Sequence, residues 1–229
     1  MTLAQVKTRH RLRKVIYALV KVVYRLRIRG REYVPPHGAA LMVCNHVSYM
    51  DALVLGGACP RPIRFVMDQT IFNSPVLRWW FKWVGVIPIV AERRDPGSLR
   101  RALDEVSLAL SSGEIVMVFP EGRLTTNGEV STFRRGVETI LARDSVPVIP
   151  VGLDGLWGSW TSKAGGPAFK KWPQRFRAPV TLYFGQPIDP LTISHASGHE
   201  VALRRYLESQ VRSLKAAAQS DGQQKVIGG

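Results

Sequence analysis

Cysteine, acidic residues and long apolar runs are all scarce in this 229-residue chain. The two cysteines, Cys44 and Cys59, form no Cys-x-x-Cys pair, so we expect small core residues in a reducing compartment, the cytosol. The basic N-terminus lacks the uninterrupted apolar core of a cleavable signal peptide. Lys and Arg outnumber Asp and Glu by 32 to 17, which gives a net charge of +15. Such an excess predicts an anionic partner: nucleic acid, anionic lipid or a phosphorylated substrate.

Several common catalytic signatures are also absent. The chain has no Gly-x-Ser-x-Gly elbow, so nothing supports hydrolysis through a serine nucleophile. His199 and Glu200 lack a second histidine four residues on, so they are not a zinc-protease motif. No phosphate-binding loop or dinucleotide fingerprint occurs, and we predict no metal site.

Apolar runs alternate with amphipathic stretches along most of the chain. This alternation predicts an α/β domain with a mainly parallel central sheet flanked by helices. We assign residues 1–30 to a basic amphipathic helix, 31–217 to one folded domain and 218–229 to a disordered tail. The predicted strands cover residues 39–43, 63–67, 85–90, 114–119, 146–151 and 180–184.

Residues 9–29 combine apolar and basic side chains at helical spacing. A bilayer-spanning helix needs about 20 mainly apolar residues, and here basic residues interrupt the run too often. We therefore predict a helix that lies in the interface of an anionic membrane. The alternatives are a basic helix packed on the domain or one laid on nucleic acid. The apolar side holds Leu12, Val15, Ile16, Leu19, Val22, Val23 and Leu26, and the other side holds Lys14, Lys21 and Arg25.

Two further segments are unusual in composition. Residues 71–84 interleave tryptophan and phenylalanine with Arg78 and Lys82, a mixture typical of the headgroup level of a bilayer. Stacking on nucleic-acid bases and burial in the core are the alternatives, but the N-terminal helix favours a membrane, so we expect no nucleic-acid partner. Residues 156–178 form a long stretch without a clear period, and a loop of this length is usually functional or mobile.

A histidine and an aspartate follow the first core strand. His46 and Asp51 are five residues apart, so one turn can bring the two side chains together. The aspartate would accept a hydrogen bond from one ring nitrogen and leave the other nitrogen free to take a proton. A base without its own nucleophile usually activates a hydroxyl group on the substrate. The alternative is a histidine that only caps the turn.

A second apolar strand ends in Phe119-Pro120-Glu121-Gly122. Together with Asn45, His46 and Asp51 it resembles the glycerolipid acyltransferase family of the lysophosphatidate acyltransferase type, which carries Asn-His-x4-Asp and Phe-Pro-Glu-Gly motifs. Two further segments, residues 85–89 and 146–151, also match, so four motifs in the family's order cover roughly residues 39–152.

The resemblance implies transfer of a fatty acyl group from an acyl-CoA or acyl-carrier-protein thioester to the free hydroxyl of a lysophospholipid. With 1-acyl-sn-glycerol-3-phosphate as acceptor, the product is phosphatidic acid. His46 would be the general base, Asp51 would orient it, and Asn45 would brace the turn. Backbone N–H groups near His46 or Gly122 would stabilise the oxyanion. No cofactor other than the thioester cosubstrate is implied, and the expected location is the cytoplasmic face of the cell membrane, as a peripheral or monotopic protein.

The residues that would bind the acceptor match the family's usual spacing less closely than the His46 and Asp51 motif does. The resemblance implies that Arg123, together with Arg93 or Arg94, holds the acceptor's phosphate. Glu121 would orient Arg123 or bind a glycerol hydroxyl, beside Gly122. Most members read Glu-Gly-Thr-Arg-Ser, whereas here the arginine directly follows Gly122. Similar sequences occur in members linked to lysophosphatidylethanolamine. Two alternatives therefore stay open: an acyltransferase for another acceptor, either lysophosphatidylethanolamine or a lyso-aminolipid, and a non-catalytic membrane- or nucleic-acid-binding protein on the same fold.

Overall fold

The computed structural model describes residues 3–69, 85–89, 96–166, 168, 170, 177–197 and 200–224. Helices and strands alternate through most of this part of the chain. In chain order they are α1 (Leu3–Val23), β1 (Tyr24–Arg29), β2 (Ala40–Cys44), α2 (Asp51–Ala58), β3 (Ile63–Asp68), β4 (Ile87–Ile89), α3 (Pro96–Ser111), β5 (Ile115–Val118), α4 (Gly136–Arg143), β6 (Val148–Asp154), β7 (Ala178–Phe184), α5 (Pro190–Ser197) and α6 (Glu200–Gln224).

Within the described ranges the strands form one seven-stranded sheet in the order β1-β7-β6-β2-β5-β3-β4. All neighbouring strands are parallel except β6 and β7. The predicted α/β fold with a mainly parallel sheet is therefore confirmed. Strands β2 and β5 lie side by side, with Val43 opposite Val118, so their carboxyl ends meet at one edge of the sheet. That edge carries the two motifs that the sequence singled out.

Helices cover both faces of the sheet, and the central strands are buried on both sides. In β2, Ala40, Met42 and Cys44 face a core shared with α1 and α2. Leu41 and Val43 face the opposite core, which α3, α4 and α6 complete. Cys44 and Cys59 are free and buried, as the sequence predicted. Burial raises the pKa of both thiols, that of Cys59 to about 11, so neither is a ready thiolate.

The predicted N-terminal helix ends earlier than expected. It stops at Val23, and the prediction that residues 24–29 are helical is wrong, because they form β1 and pair in parallel with β7. The apolar Tyr24, Leu26 and Ile28 alternate with arginines, which is the two-residue period of a strand. The sheet consequently begins before residue 31.

Helix α1 packs against α2 at close range. A Cβ atom added at Gly57 of α2 would lie 3.0 Å from Cα of Tyr17, so glycine permits the approach. Arg13 donates to the carbonyl oxygen of Cys59 at 2.9 Å, just beyond the end of α2. Val15 and Leu19 stay exposed on the outer side of α1. None of the helices in the described ranges is long and apolar enough to cross a bilayer.

The C-terminal helix is longer than predicted. Helix α6 continues to Gln224, so the prediction of a disordered tail is wrong for residues 218–224. Ala218 is buried, and Asp221 accepts hydrogen bonds from Tyr183 and, through its carbonyl oxygen, from Arg27. These contacts with β1 and β7 stabilise the last turns of the helix. Residues 225–229 and the tryptophan-rich residues 71–84 lie outside the described residues.

Candidate active site

His46 lies in the turn that leaves the carboxyl end of β2. Its Nδ1 is 2.8 Å from Oδ2 of Asp51, the first residue of α2. Because an ionised carboxylate only accepts hydrogen bonds, Nδ1 carries the hydrogen and Nε2 carries the lone pair. The ring stacks on Phe119, with centroids 4.0 Å apart and planes inclined by 14°. The imidazole is 16% exposed, so a substrate can reach it.

Asp51 holds the turn as well as the ring. Its Oδ2 also accepts the backbone N–H groups of Val47 at 2.8 Å and Ser48 at 2.9 Å. The side chain is fully buried, and its Oδ1 has no hydrogen-bond partner among the described residues. One carboxylate oxygen therefore fixes both the backbone of the turn and the tautomer of the base.

Asn45 and Ser48 hold the same turn against other parts of the chain. The Asn45 side-chain amide donates to the carbonyl oxygen of Leu153 and accepts the N–H of Leu153, each at 2.9 Å. It thus extends the pairing between β2 and β6 by one residue. The buried Ser48 hydroxyl is 2.6 Å from the Thr161 hydroxyl. Ser48 is therefore engaged in the brace of the turn and is not presented as a nucleophile.

Thr161 belongs to the long segment 156–178, which the sequence predicted to be functional or mobile. Its carbonyl oxygen accepts the N–H of Tyr49 at 3.3 Å, and Ser162 forms an isolated antiparallel bridge with Ser48. The described part of this segment therefore lies against the turn that carries the base. The length of the segment predicted a functional or mobile loop, but it gave no hint of the contacting partner.

Glu121 contacts backbone groups and not Arg123, which it was predicted to orient if it does not bind a glycerol hydroxyl. It is only 2% exposed, and its Oε1 accepts the N–H of His46 at 2.8 Å while Oε2 accepts the N–H of Ser131 at 2.7 Å. Both oxygens are thus engaged by backbone groups, and Arg123 is not among the partners. Burial raises the pKa of the Glu121 carboxyl, although these hydrogen bonds oppose the rise. Glu121 connects the two motifs directly.

Arg123 projects from the site toward solvent. Its side chain is exposed and makes no hydrogen bond or ion pair with any described residue. Gly122 precedes it with φ +66°, a backbone conformation that glycine adopts without strain. The predicted partners Arg93 and Arg94 lie outside the described residues. In the ranges that the structure covers, no three His, Cys, Asp or Glu side chains are placed to hold a metal ion.

Helix α6 contacts the loop of residues 120–135 through two side chains. Lys215 is 4% exposed, and its Nζ donates to the carbonyl oxygen of Gly128 at 2.7 Å and to Oε2 of Glu129 at 3.2 Å. Two turns earlier in the same helix, Oε2 of Glu208 accepts the N–H of Phe133 at 3.0 Å. Sequence reasoning missed both contacts. A signal existed, since Lys215 follows Val211 by four residues on the buried face of the helix.

Comparison with known proteins agrees with this arrangement. The sequence profile of the acyltransferase family matches residues 25–154. The chain is 32% identical over 133 residues to the chloroplastic 1-acyl-sn-glycerol-3-phosphate acyltransferase LPAT1 of Arabidopsis thaliana, covering 58% of this chain and 36% of that protein. It is 31% identical over 140 residues to the human 1-acyl-sn-glycerol-3-phosphate acyltransferase alpha, with 58% and 47% covered. The chain therefore spans well under two thirds of either relative.

A solved structure covers more of the chain. The 1-acyl-sn-glycerophosphate (LPA) acyltransferase PlsC from Thermotoga maritima superposes with a TM-score of 0.71 at 26% identity, covering 93% of this chain and 81% of that one. Because the family profile matches more than half of the sequence, including the His46 turn and the Phe119–Gly122 motif, this chain belongs to the acyltransferase family.

Proposed function

We propose that this protein transfers a fatty acyl group from an acyl-CoA or acyl-carrier-protein thioester to the free hydroxyl of 1-acyl-sn-glycerol-3-phosphate, giving phosphatidic acid. The observation that carries the proposal is the His46–Asp51 pair, 2.8 Å apart, at the sheet edge that also carries Arg123, which has no partner among the described residues. The acceptor named for the relatives from Arabidopsis thaliana and Homo sapiens, and for the PlsC structure, supports this choice.

In the proposed reaction, Nε2 of His46 removes the proton from the acceptor hydroxyl as the oxygen attacks the thioester carbonyl. Asp51 stabilises the imidazolium that forms. The tetrahedral intermediate collapses with cleavage of the carbon–sulfur bond, and the leaving thiolate takes the proton from His46. The acyl group passes directly to the acceptor, so no acyl-enzyme is needed.

The oxyanion needs N–H donors that are not already engaged. Every backbone N–H of residues 46–51 has an acceptor, and the N–H of Gly122 donates to the carbonyl oxygen of Phe119. The N–H groups of Arg123 and Leu124 have no acceptor among the residues that the structure covers. These two groups are therefore our candidates for stabilising the oxyanion.

The surface of α1 supports a membrane location. Val15, Leu19 and Val22 are 55%, 61% and 58% exposed and form a stripe that no described element covers. The exposed Lys14 and Lys21 lie beside this stripe. An apolar stripe flanked by lysines fits the interface of an anionic bilayer. We propose a peripheral or monotopic protein on the cytoplasmic face of the cell membrane, with lipid and not nucleic acid as the anionic partner.

A different acceptor is the second candidate. The arginine directly after Gly122 departs from the sequence of most members, and this favours a test of lysophosphatidylethanolamine and of a lyso-aminolipid.

The experiment is a product assay with the full chain, anionic vesicles, oleoyl-CoA or oleoyl-acyl-carrier-protein, and each acceptor in turn. We expect phosphatidic acid as the main product, and a loss of about 10²–10⁴-fold in His46→Ala. Product formed only from another acceptor would overturn the choice of lysophosphatidate. If no acceptor gave a product, the assignment as an enzyme would be overturned, and the non-catalytic membrane- or nucleic-acid-binding alternative would be favoured.

A further inference from the structure

We infer that Arg134 is a second residue that binds the acceptor's phosphate, forming with Arg123 a pair of guanidinium groups on either side of the Gly122 turn. This inference rests on the proposed function and adds a residue that the motifs at 45–51 and 119–122 do not include.

Arg134 lies directly on that turn. A Cβ atom added at Gly122 would come within 2.8 Å of both Cδ and Nε of Arg134 and within 3.2 Å of Cζ. The glycine therefore serves a second purpose besides its positive φ, because any side chain there would displace the guanidinium. The backbone N–H of Arg134 donates to the carbonyl oxygen of Pro120 at 2.8 Å, which fixes its Cα beside the motif.

The same backbone is connected to the base. Glu121 accepts the N–H of His46 with one oxygen and the N–H of Ser131 with the other. In addition, the N–H of Thr125 donates to the carbonyl oxygen of His46 at 2.9 Å. Arg134 and His46 are thus held in one hydrogen-bonded frame, and their relative position does not depend on a flexible segment.

The charge of Arg134 is not neutralised within the site. Its side chain is exposed and, like that of Arg123, has no carboxylate partner among the described residues. The two carboxylates nearest to Arg134 in sequence have other partners: Glu138 pairs with Arg204 at 3.6 Å and Glu129 with Lys215 at 3.2 Å. Glu121 is engaged by two backbone N–H groups. Two unpaired guanidinium groups beside one fixed turn suit a phosphate monoester, whose oxygens accept bidentate hydrogen bonds.

The chemistry of the acceptor requires an anchor close to the base. In a 1-acylglycerol 3-phosphate the reacting hydroxyl and the phosphate-bearing oxygen are on neighbouring carbon atoms. When the hydroxyl reaches Nε2 of His46, the phosphate is therefore only a few bonds from the base. The Gly122 turn adjoins the turn of the base, because Glu121 accepts the N–H of His46 at 2.8 Å. Arg123 belongs to the Gly122 turn, and Arg134 contacts it.

Arg134→Ala tests the inference, with Arg135→Ala as the matched control. Arg135 is the next residue, is also exposed, and its replacement removes the same charge without touching Gly122. We expect Arg134→Ala to raise the KM for lysophosphatidate about tenfold to a hundredfold, the range for a lost hydrogen bond to a charged group. The KM for oleoyl-CoA and the activity with uncharged 1-oleoylglycerol should stay near wild-type values. Arg134→Lys should recover only part of the loss, because it keeps the charge without the planar fork.

Three outcomes would overturn the inference or separate it from the proposed function. Equal acceptor KM in Arg134→Ala and Arg135→Ala would overturn it. A fall in kcat of equal size for lysophosphatidate and 1-oleoylglycerol, with a lower Tm, would make Arg134 structural and also overturn it. If the wild-type protein acylates no acceptor, the proposed function fails; calorimetric binding of glycerol 3-phosphate to the three proteins then decides, and unchanged affinity in Arg134→Ala overturns the inference.

Discussion

Asp51 combines two functions in one atom, because its Oδ2 accepts hydrogen bonds from the His46 ring and from the backbone of Val47 and Ser48. Substitutions can separate these functions. Asn supplies an oxygen in the same place but no negative charge, whereas Ala removes the acceptor altogether. The two variants should therefore fail in different ways.

We expect Asp51→Asn to lower kcat by about 10²–10⁴-fold, the range for an impaired general base, with little change in Tm. Asp51→Ala should lose activity to a similar extent and also unfold at a lower temperature. Each of the two orphaned backbone N–H groups then costs about 1–3 kcal/mol. Activity assays and thermal unfolding of both variants provide the check. If the Asp51→Ala protein were as stable as the wild type, Asp51 would not stabilise the turn through the N–H groups of Val47 and Ser48.

Glu121 provides a prediction that depends on pH. Burial raises its pKa, so the folded protein holds this proton more tightly than the unfolded chain does. The contribution of Glu121 to stability therefore falls as the pH rises from the ordinary pKa of a glutamate through the raised folded value. The loss is complete above the folded value.

Glu121→Gln cannot ionise, so we expect this part of the pH dependence to vanish. The free energy of unfolding of the wild type minus that of the variant should fall with rising pH across the same window. Urea unfolding at several pH values provides the measurement. The variant should also have a lower kcat, since Gln leaves one of the N–H groups of His46 and Ser131 without its oxygen. A difference that grows with pH would contradict the assigned sign.

How much the sequence revealed depended on how local each feature is. The His46–Asp51 pair spans five residues and lies at a strand end, so a local pattern predicted it. The bonds of Asn45 to Leu153, Ser48 to Thr161 and Lys215 to Gly128 span 108, 113 and 87 residues. No local pattern encodes such pairings. Strand β1 was missed for another reason, because its six residues directly continue a helical pattern and their two-residue period is short.

At the scale of elements, the close approach of α1 and α2 depends on one glycine. A Cβ at Gly57 would lie 3.0 Å from Cα and 3.2 Å from N of Tyr17, both backbone atoms that cannot rotate away. One position earlier, a Cβ at Gly56 would only touch the Phe65 ring at 3.5 Å. The two glycines are in the same helix, so they form a matched pair.

We expect Gly56→Ala to stabilise the protein by up to about 1 kcal/mol, the helix-propensity gain of Ala over Gly. Gly57→Ala has the same gain but must also displace α1, which costs about 1–3 kcal/mol. Chemical denaturation of both variants gives the difference directly. If the two proteins were equally stable, the packing of α1 on α2 would not be as tight as described.

Helix α6 contacts the loop that carries Arg123 through Lys215. We expect Lys215→Met, which keeps the length of the side chain but not its donors, to leave the carbonyl oxygen of Gly128 unsatisfied at a cost of about 1–3 kcal/mol. Because Gly128 belongs to the loop that carries Arg123, the KM for the acceptor should rise while the KM for the donor stays constant. Ser213→Ala, at an exposed position of the same helix, is the control. A change in Tm alone would limit Lys215 to a role in stability.

For the whole molecule, the exposed stripe of α1 provides a test of the proposed membrane binding. We expect the double variant Leu19→Gln, Val22→Gln to move the protein from the vesicle pellet to the supernatant, since burying each apolar side chain contributes about 1.5–3 kcal/mol. Its Tm should not change, because both side chains are exposed. Leu108→Gln is the control: Leu108 is 65% exposed but belongs to α3, on the other face of the sheet.

Binding of the intact protein should also weaken with added salt, because each lysine or arginine near an anionic surface contributes about 1 kcal/mol. Equal binding to neutral and anionic vesicles would contradict this electrostatic contribution. Tight binding to duplex DNA without a preference for lipid would favour the nucleic-acid alternative.

Helix α1 passes into β1 without a linker, since Val23 ends the helix and Tyr24 begins the strand. In the proposed membrane-bound state, with α1 on the bilayer, the sheet would have a single orientation relative to the lipid plane, and His46 a single height above it. An acceptor then arrives by lateral diffusion within one leaflet. The acylation rate would accordingly follow the number of acceptor molecules per unit area of membrane, and not their amount per volume of solution.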